Sequence, residues 1–508
     1  MTMRLRQFTS LVVLFSCLLP LSIADDQKDS QKTTAEEKVA EAPVKPLSDY
    51  ELMTLFVDAF QQIETNYVRD IDRRKLVEAA IEGMVSELDQ YSSFVPPKAR
   101  ARFDRMLTQE FGGIGIQVNT RNGDLYVVSP VPGTPAYKAG ILPGDIITRI
   151  GEAETKGLSI NQAMREMQGP IGQTVKLQVI RPGQKAPISL SLTRELITVK
   201  TIRGYEYNDD DTWNYWVSEE PKIAYVRLSS FSRRSAEELE DVLRTLVSLK
   251  MDGLVLDLRF NPGGLLEGAI EMADLFLKSG KIVSVRGRNV PEKSWDARSR
   301  NTLPDFPIAV LVNGYSASAS EVLSACLQDN ERAVVVGERT WGKGSVQNVI
   351  RIDEGRSILK LTTASYHRPS GVNIHRFKEM GPDDTWGVLP DEDFEIPYSR
   401  KQWTEWSADR SRRDVVKRRD SIESFKEAAE KASKTDSLEA KKTNGKTDSQ
   451  AAEIALSTKP PKESSAMSTT ELEASEETTP PKPFDDTQLT AALDYIKGQL
   501  NKSPSSSD

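Results

Sequence analysis

The chain has 508 residues, of which 38% are hydrophobic and 28% charged, and at roughly 100–200 residues per domain it can form several folded domains. This composition is typical of a soluble globular protein with polar extensions and excludes a protein built mainly of membrane spans. The formal charge is −8, so no nucleic acid partner is expected.

Residues 1–24 have the organisation of a cleaved signal peptide. Two arginines precede the apolar run from Leu11 to Leu21, which is shorter than the ~20 residues of a spanning helix, and small residues lead to a cleavage site after Ala24. The alternative is a lipoprotein anchored through Cys17. Both alternatives predict export to the bacterial periplasm or cell envelope. Cleavage after Ala24 would leave Cys326 as the only cysteine, which excludes an internal disulfide.

The next two segments differ in apolar content. Residues 25–46 contain almost no large apolar side chains, which predicts a disordered linker. Over residues 47–110, apolar residues recur at helical spacing, first from Leu52 to Ile63 and then from Leu76 to Leu88. We therefore expect a helical N-terminal domain over residues 47–110.

Residues 111–195 change to short β-type runs separated by glycine and proline turns, with one helix at about 160–167. A Gly-rich loop at 111–116 runs into a strand. Its consecutive amides could hold a carboxylate, and the strand edge could pair with an extended peptide, although a Gly-rich loop alone usually only turns the chain. The predicted groove residues are Gly113, Ile114, Gly115, Ile116, Ile160 and Met164.

Residues 196–399 alternate strand and helix patterns, which predicts an α/β domain with a largely covered sheet. The expected strands include Ile223–Leu228, Gly253–Leu258, Ile308–Val312 and Ala333–Val336. The expected helices are Ala236–Leu249, Leu266–Phe276 and Ala317–Gln328.

The C-terminal part is a charged region of low complexity, residues 400–485, followed by a short amphipathic segment. Within the charged region only Arg410–Lys431 could form a helix. Residues 486–502 carry apolar side chains at helical spacing, so we expect this helix to pack back onto the α/β domain.

The residue inventory disfavours zinc enzymes and Ser-His-Asp proteases, although a histidine downstream of the candidate serine could in principle complete a triad. The chain has two histidines, His367 and His375, and no zinc-binding His-Glu-X-X-His pattern. No histidine precedes the candidate serine described below, as the trypsin-like order of a Ser-His-Asp triad would need, and no Gly-X-Ser-X-Gly elbow is present.

Three segments carry candidate catalytic groups, and each has an ordinary structural alternative. The serine-rich stretch 313–321 follows an apolar strand and opens a helix, where free amides and the helix dipole suit a nucleophile and an oxyanion. Helix capping is the alternative, and it is favoured for this segment alone. The stretch 256–264 ends a strand with two glycines whose amides are oxyanion-hole candidates; a tight strand-to-helix turn is the alternative.

The third segment is 337–347, in which Lys343 lies between two glycines. A lysine can replace histidine as general base only if desolvation lowers its pKa from ~10.4 to about 7–8, which corresponds to about 4 kcal/mol. Gln347 would face the same side of an extended segment, where its amide oxygen could orient the amine. The alternative is a solvated turn.

Together with the stretch 83–93, these segments resemble the carboxy-terminal processing peptidases (tail-specific proteases) of serine peptidase family S41. The resemblance covers about residues 50–391 and the last helix, and both the Ser-to-Lys and the Lys-to-Gln intervals fit. Residues 111–195 resemble a PDZ domain. The resemblance implies a multidomain α+β protein whose catalytic domain, residues 196–399, has a crotonase/ClpP-like sheet core.

By this resemblance, Ser318 is the nucleophile, Lys343 the general base and Gln347 the residue that positions the lysine, with no metal and no cofactor. Arg181 of the PDZ module would sense substrate engagement. The oxyanion hole would be formed by backbone amides, those of Ala319 and of Gly263 or Gly264.

The sequence therefore predicts a serine endopeptidase that cleaves proteins near their exposed C-terminal tails. The PDZ domain would bind the tail and gate activity. An adaptor or activator protein and self-association into a homo-oligomer remain open. A second hypothesis is a catalytically inactive PDZ scaffold, which the three intact catalytic residues disfavour.

Overall fold

A computed structural model describes residues 47–108, 110–184, 186–417 and 483–502. The expected signal peptide, the linker and most of the low-complexity region lie outside the described residues. The chain divides into a first unit that ends at Arg73 and a second unit that begins at Arg74. Of the helices in the described ranges, none combines the length and apolar character needed to cross a bilayer.

The helices that the structure describes are numbered in chain order. They are α1 (Asp49–Asn66), α2 (Arg73–Ser86), α3 (Pro97–Thr108), α4 (Pro135–Lys138), α5 (Ile160–Met167), α6 (Ser235–Ser248), α7 (Leu266–Phe276), α8 (Ala319–Asp329), α9 (Arg400–Arg413) and α10 (Thr487–Lys502), with a short 3-10 turn at Asp353–Gly355.

The strands are numbered in the same way. They are β1 (Ser93–Val95), β2 (Glu110–Gly113), β3 (Ile116–Arg121), β4 (Asp124–Pro130), β5 (Ile146–Ile150), β6 (Ala153–Glu154), β7 (Thr174–Ile180), β8 (Ile188–Thr193), β9 (Glu195–Thr198), β10 (Ile202–Arg203), β11 (Glu206–Tyr207), β12 (Trp213–Asn214), β13 (Trp216–Glu219), β14 (Lys222–Leu228), β15 (Gly253–Asp257), β16 (Lys281–Gly287), β17 (Val290–Asp296), β18 (Ile308–Val312), β19 (Val334–Gly337), β20 (Ser345–Ile352) and β21 (Ser357–His367).

The first unit contains helix α1, whose start is fixed by a capping box. The Ser48 amide donates to the Glu51 carboxylate at 2.8 Å, and the Ser48 hydroxyl oxygen accepts from the Glu51 amide at 3.4 Å. No residue of α1 is buried, and large apolar side chains such as Phe56 remain exposed.

The β-rich module is an antiparallel sheet in the order β3-β4-β5-β7-β8, with β6 paired to β5 and a separate β2–β9 ribbon. Its core consists of buried residues contributed by alternating strand positions, including Leu125, Val127, Ile147, Leu177 and Val179. Among the strands that the structure describes, β3 pairs only with β4, so its second edge has no strand partner there, and α5 packs against β3. The module therefore presents one open strand edge beside a helix.

The α/β module of residues 196–399, where the sequence predicts catalysis and which is therefore named the catalytic module, is built on a sheet in the order β10-β14-β15-β18-β19. Strands β14, β15, β18 and β19 are parallel, and every residue of β15 and β18 is buried. Helices α6, α7 and α8 contribute to the large core on one face, while α10 covers the other face. Continuous apolar runs form these strands because both faces of the sheet are covered.

A second sheet carries one end of the catalytic module. The long strand β21 pairs with β20 along one edge and with β1 and β16 along the other, and β17 pairs with β16. This arrangement places β1, which precedes the β-rich module in sequence, beside β21, on the edge opposite to β20, the strand that follows Lys343.

The structure differs from the sequence expectation at the start of the charged region. Helix α9 occupies Arg400–Arg413, whereas the charge pattern favoured a helix over Arg410–Lys431; residues 414–417 are not helical, and the rest lies outside the described residues. The reason is two tryptophans, Trp403 and Trp406, which are buried in a cluster of aromatic side chains. Burial of these side chains stabilises helix α9, although the charged residues around them do not form a helical apolar pattern that would predict it.

Candidate active site

Ser318 lies at the turn between β18 and α8, immediately before the first residue of the helix. It is 5% exposed and adopts φ 57° and ψ −115°, a conformation that non-glycine residues rarely occupy. Strain of this kind costs about 1–3 kcal/mol and is found mostly at functional sites. The fold thus holds one serine of the segment 313–321 in a conformation that ordinary helix capping does not need.

The candidate oxyanion-hole residues come together beside Ser318. A Cβ atom on Gly263 would lie 2.8 Å from the Ala319 nitrogen and 2.8 Å from Ser318 Cβ, and Gly263 has φ +90°, so this position requires glycine. The Gly263 amide donates to Asn261 Oδ1 at 2.9 Å. The amides of Gly264 and Ala319 donate to no acceptor among the described residues. This geometry favours Gly264 over Gly263 as the second donor.

Glu321 is a buried carboxylate that connects the serine and lysine loops. Its Oε2 accepts hydrogen bonds from the Ser318 amide at 2.7 Å and the Lys343 amide at 2.8 Å. Its Oε1 accepts from the Thr340 hydroxyl and the Gly342 amide, both at 2.6 Å. Burial raises the pKa of Glu321 to about 6 although the hydrogen bonds oppose the shift. The sequence analysis missed this residue; its three-residue offset from a helix-capping serine was the available signal.

Lys343 follows β19 in a partly buried loop. Its pKa is lowered to about 8, mainly by desolvation and then by the positive charge of Lys360, while Glu321 acts in the opposite direction. The Lys343 ammonium nitrogen lies 5.2 Å from the centre of the Tyr91 ring, which is a cation–π distance. Because this pKa is about 8, a fraction of the Lys343 side chains carries a neutral amine near neutral pH.

The structure does not join the three predicted catalytic side chains by hydrogen bonds. Within the described residues, Lys343 Nζ bonds neither to Ser318 nor to Gln347. The Gln347 amide nitrogen instead donates to Ser345 Oγ at 2.8 Å and to Thr362 Oγ1 at 3.2 Å. The roles of Ser318, Lys343 and Gln347 therefore stay predictions.

A segment far away in sequence completes the surroundings of Lys343. Asp89 accepts hydrogen bonds from the amides of Tyr91 and Ser92, each at 2.7 Å, and thereby shapes the turn before β1. Ser92 Oγ in turn accepts from the Thr362 amide at 3.0 Å. The Tyr91 hydroxyl accepts from the indole of Trp341 at 3.2 Å. These contacts fix the aromatic ring against which the lysine rests.

The two histidines make local contacts away from the Ser318 hydroxyl. His375 packs edge-on against Phe377 with ring centres 4.9 Å apart, and desolvation lowers its pKa. His367 lies 3.1 Å from Ser365 Oγ. Neither ring hydrogen-bonds to Ser318. Within the described ranges, no group of three or more His, Cys, Asp or Glu side chains is arranged to hold a metal ion.

The predicted peptide-binding residues lie at the open edge of the β-rich module. The amides of Ile114 and Gly115 donate to no described acceptor, and Gly115 has φ +77°. Ile116 begins β3, whereas Gly113 ends β2. On α5, Met164 is 39% exposed. These positions agree with a carboxylate loop beside an open strand. The remaining predicted groove residue is Ile160, the first residue of α5.

Arg181, the predicted sensor, is held inside the β-rich module. Its guanidinium makes two 2.9 Å bonds to the Asp145 carboxylate and donates to the Gly140 carbonyl at 2.8 Å. The side chain is only 10% exposed. This geometry gives Arg181 a structural role in the β-rich module, and its role as a sensor stays a prediction.

Three families match consecutive parts of the chain. The activating protease CtpB N-terminal domain matches residues 18–98, and the PDZ domain matches residues 112–192. Peptidase family S41 matches residues 222–393, which include Ser318 and Lys343.

Several curated relatives are similar over most of their length. A carboxy-terminal-processing protease of Bartonella bacilliformis is 38% identical over 357 residues, which are 69% of this chain and 77% of the relative. The carboxy-terminal processing protease CtpA of Bacillus subtilis is 37% identical over 63% of this chain and 66% of the relative. Among solved structures, a photosystem II D1 C-terminal processing protease aligns with 68% of this chain and 92% of that chain, at 27% identity and a TM-score of 0.39. On the sequence similarity, the chain belongs to the carboxy-terminal processing proteases of peptidase family S41 and carries a PDZ domain.

Proposed function

We propose that this protein is an exported serine endopeptidase that cleaves other proteins near their C-termini with a Ser318–Lys343 dyad. The observation that supports it most strongly is the shared anchoring of the two loops. One buried carboxylate oxygen of Glu321 binds the backbone amides of both residues, 2.7 Å from the Ser318 nitrogen and 2.8 Å from the Lys343 nitrogen. Acyl transfer needs a nucleophile and a base, and these two joined loops supply a serine hydroxyl and a desolvated amine.

In the proposed mechanism, neutral Lys343 Nζ takes the proton of Ser318 Oγ as the oxygen attacks the scissile carbonyl carbon. The oxyanion that forms accepts hydrogen bonds from the amides of Ala319 and Gly264. Collapse expels the amine product, which takes the proton from the lysine, and leaves an ester on Ser318. Water then hydrolyses the ester with the lysine again as base.

This mechanism requires the Lys343 side chain to turn from the Tyr91 ring toward Ser318. Its flexible four-carbon stem can make that turn without moving the backbone that Glu321 holds. Gln347 would accept a hydrogen bond from the repositioned amine, once its own amide turns away from Ser345. Thus the structure described here and the proposed catalytic arrangement differ in the rotamers of the Lys343 and Gln347 side chains.

The PDZ module would bind the C-terminal tail of the substrate. The unpaired amides of Ile114 and Gly115 suit its carboxylate, and the open edge of β3 suits its extended backbone. Met164 on the neighbouring helix would contact the last side chains. Recognition of the tail would thereby raise the local concentration of substrate and gate the activity.

Export is proposed on the pattern of residues 1–24, which lie outside the described residues. Purification from the native cell distinguishes the two predicted forms. Mass spectrometry should find an N-terminus at Asp25 after signal cleavage, or a lipid-modified Cys17 for the alternative anchor. An N-terminus at Met1 on the mature protein would contradict export by this route.

Peptide cleavage tests the dyad. The chain from residue 25 onward should cleave a peptide with a free C-terminal carboxylate faster than the same peptide amidated. Ser318→Ala and Lys343→Ala should each abolish cleavage to a similar degree, since members of one catalytic unit are not additive. The exposed Lys401→Ala is the matched control and should remain active. Cleavage that survives Ser318→Ala would overturn the assignment, whereas tail binding without any cleavage would support a peptide-binding scaffold.

A further inference from the structure

An open groove with an aromatic wall lies on the catalytic module between helix α6 and the chain from β11 to β13. Its volume is about 370 Å³, and the lining combines aromatic, amide and aliphatic side chains with one carboxylate. The lining residues are Asn208, Trp213, Asn214, Tyr215, Trp216, Asp241, Val242, Thr245, Leu246 and Leu249. None of them belongs to the proposed catalytic site or to the peptide groove of the PDZ module.

The aromatic rings of this groove are oriented by contacts outside it. Trp213 stacks on Tyr207 with ring centres 3.9 Å apart and an interplanar angle of 21°. Lys222 Nζ lies 5.9 Å from the centre of the Trp216 ring and donates to the Leu249 carbonyl at 3.2 Å. The Trp216 ring thus already holds an ammonium group of its own chain, and a ligand ammonium at this ring would take the place of Lys222.

The wall of the groove that carries Trp216 is acidic. Residues 206–222 contain six carboxylates and one cation, Lys222. On the opposite wall, the exposed Asp241 carboxylate has no ion-pair partner among the described residues. A cationic ligand would gain attraction from both walls, and an anionic one would be repelled.

We propose that this groove binds an extended basic segment of a partner protein, with a lysine side chain placed between the Trp216 ring and the Asp241 carboxylate. Indole faces combined with a carboxylate are the chemistry with which proteins recognise alkylammonium groups. The aliphatic stem of the lysine would lie on Val242 and Leu249. An open groove, rather than a closed cavity, suits a peptide chain that continues at both ends.

The groove wall also contacts the PDZ module. Asp211, in the turn between β11 and β12, accepts a hydrogen bond from the Tyr137 hydroxyl of the PDZ module at 2.8 Å. A bound segment would therefore contact the β11–β12 hairpin, which also hydrogen-bonds to the PDZ module. The proposal concerns a partner site and stands whether or not the proposed dyad is catalytic.

Titration with short amidated peptides tests the site. Intrinsic tryptophan fluorescence of the full mature chain should change saturably with a five-residue peptide that carries two lysines, and not with the same peptide carrying norleucine instead. Trp216→Ala and Asp241→Asn should each weaken binding by about tenfold. Trp295→Ala is the matched control because this tryptophan lies on β17, also beside a lysine, and should leave binding unchanged.

Three results would overturn the proposal. They are equal binding of the norleucine peptide, unchanged binding by Asp241→Asn, and saturable binding of tetramethylammonium without binding of the lysine peptide. The last result would assign the groove to a small organic cation instead of a protein. Because Asp241 is exposed, its substitution by asparagine should leave the fold intact even where Trp216→Ala does not. Circular dichroism of both variants checks the fold.

Discussion

The backbone nitrogen of Lys343 lies 2.8 Å from Oε2 of Glu321, the same atom that accepts the Ser318 amide at 2.7 Å. Glu321 is fully buried, and its second oxygen is bound to Thr340 and Gly342. Three of the four hydrogen bonds to this carboxylate therefore come from backbone amides, those of Ser318, Gly342 and Lys343, and the fourth comes from the Thr340 hydroxyl. A carboxylate at this position fixes the spacing of the loops, and an isosteric amide cannot reproduce it because half of the amide is a donor.

We expect Glu321→Gln to lower kcat by about 100-fold with a smaller effect on KM, since small misplacements of reacting groups have effects of this size. In the variant, the increase of rate with pH should also shift to lower pH. The negative charge of Glu321 raises the pKa of Lys343, so removal of this charge lowers that pKa. Steady-state cleavage of a tailed peptide across pH measures both. The exposed Glu331→Gln, just beyond the same helix, is the control. An unchanged pH profile and kcat would refute the coupling.

The pH dependence of cleavage should follow the Lys343 amine. Its pKa is about 8, and only the neutral form can accept the serine proton, so kcat/KM should rise as pH increases through about 8. Lys360→Met removes a neighbouring positive charge that lowers this pKa, so the rise should move to higher pH. Lys401→Met, at an exposed position, should not move it. A Lys360→Met profile that coincides with the parent or moves to lower pH would contradict the assignment.

The interior of the catalytic sheet could be predicted closely. The apolar run Ile308–Val312 is strand β18 with the same bounds, and Leu266–Phe276 is helix α7 with the same bounds. Both succeed because burial on every side leaves an uninterrupted local pattern. Helix α9 could not be predicted in this way, since the burial of Trp403 depends on an aromatic partner, Phe260, far away in sequence.

The candidate site was predictable only in part for a related reason. The neighbours of Ser318 within one turn can be inferred from the sequence, because a helix start brings its own free amides. The contact of Tyr91 with Lys343 and the four donors of Glu321 join segments that are separate in sequence. Similarly, the hydrogen bond from the Gly263 amide to Asn261 could not be predicted, because it depends on a loop conformation that residue type alone does not determine.

Asp414 offers a test of stability away from the catalytic loops. Its carboxylate accepts hydrogen bonds from Arg203 at 3.0 Å and Arg410 at 3.3 Å, and it also pairs with Arg227. Asp414→Ala would leave these cations without their shared partner, so we expect a loss of about 3–5 kcal/mol in the free energy of unfolding, measured in urea.

The control for Asp414 is an exposed ion pair on helix α9, which ends just before Asp414. Lys401 and Glu405 lie 3.8 Å apart with side chains 86% and 50% exposed. Glu405→Ala should change the free energy of unfolding by less than about 1 kcal/mol. Equal effects of the two substitutions would show that the arginine cluster does not depend on Asp414.

Substitution by alanine should have opposite effects on stability at two glycines, Gly253 in β15 and Gly498 in α10. A Cβ on Gly253 in β15 would collide with the side chain of Ile496 on α10, so Gly253→Ala should destabilise the protein by about 1–3 kcal/mol through overpacking. Gly498 in the same helix has open space around it, and Gly498→Ala should stabilise by about 0.5–1 kcal/mol through helix propensity. In an Ile496→Ala background, the cost of Gly253→Ala should largely vanish, because the colliding methyl groups are gone. If urea unfolding gives the same cost in both backgrounds, α10 does not pack on the sheet through this contact.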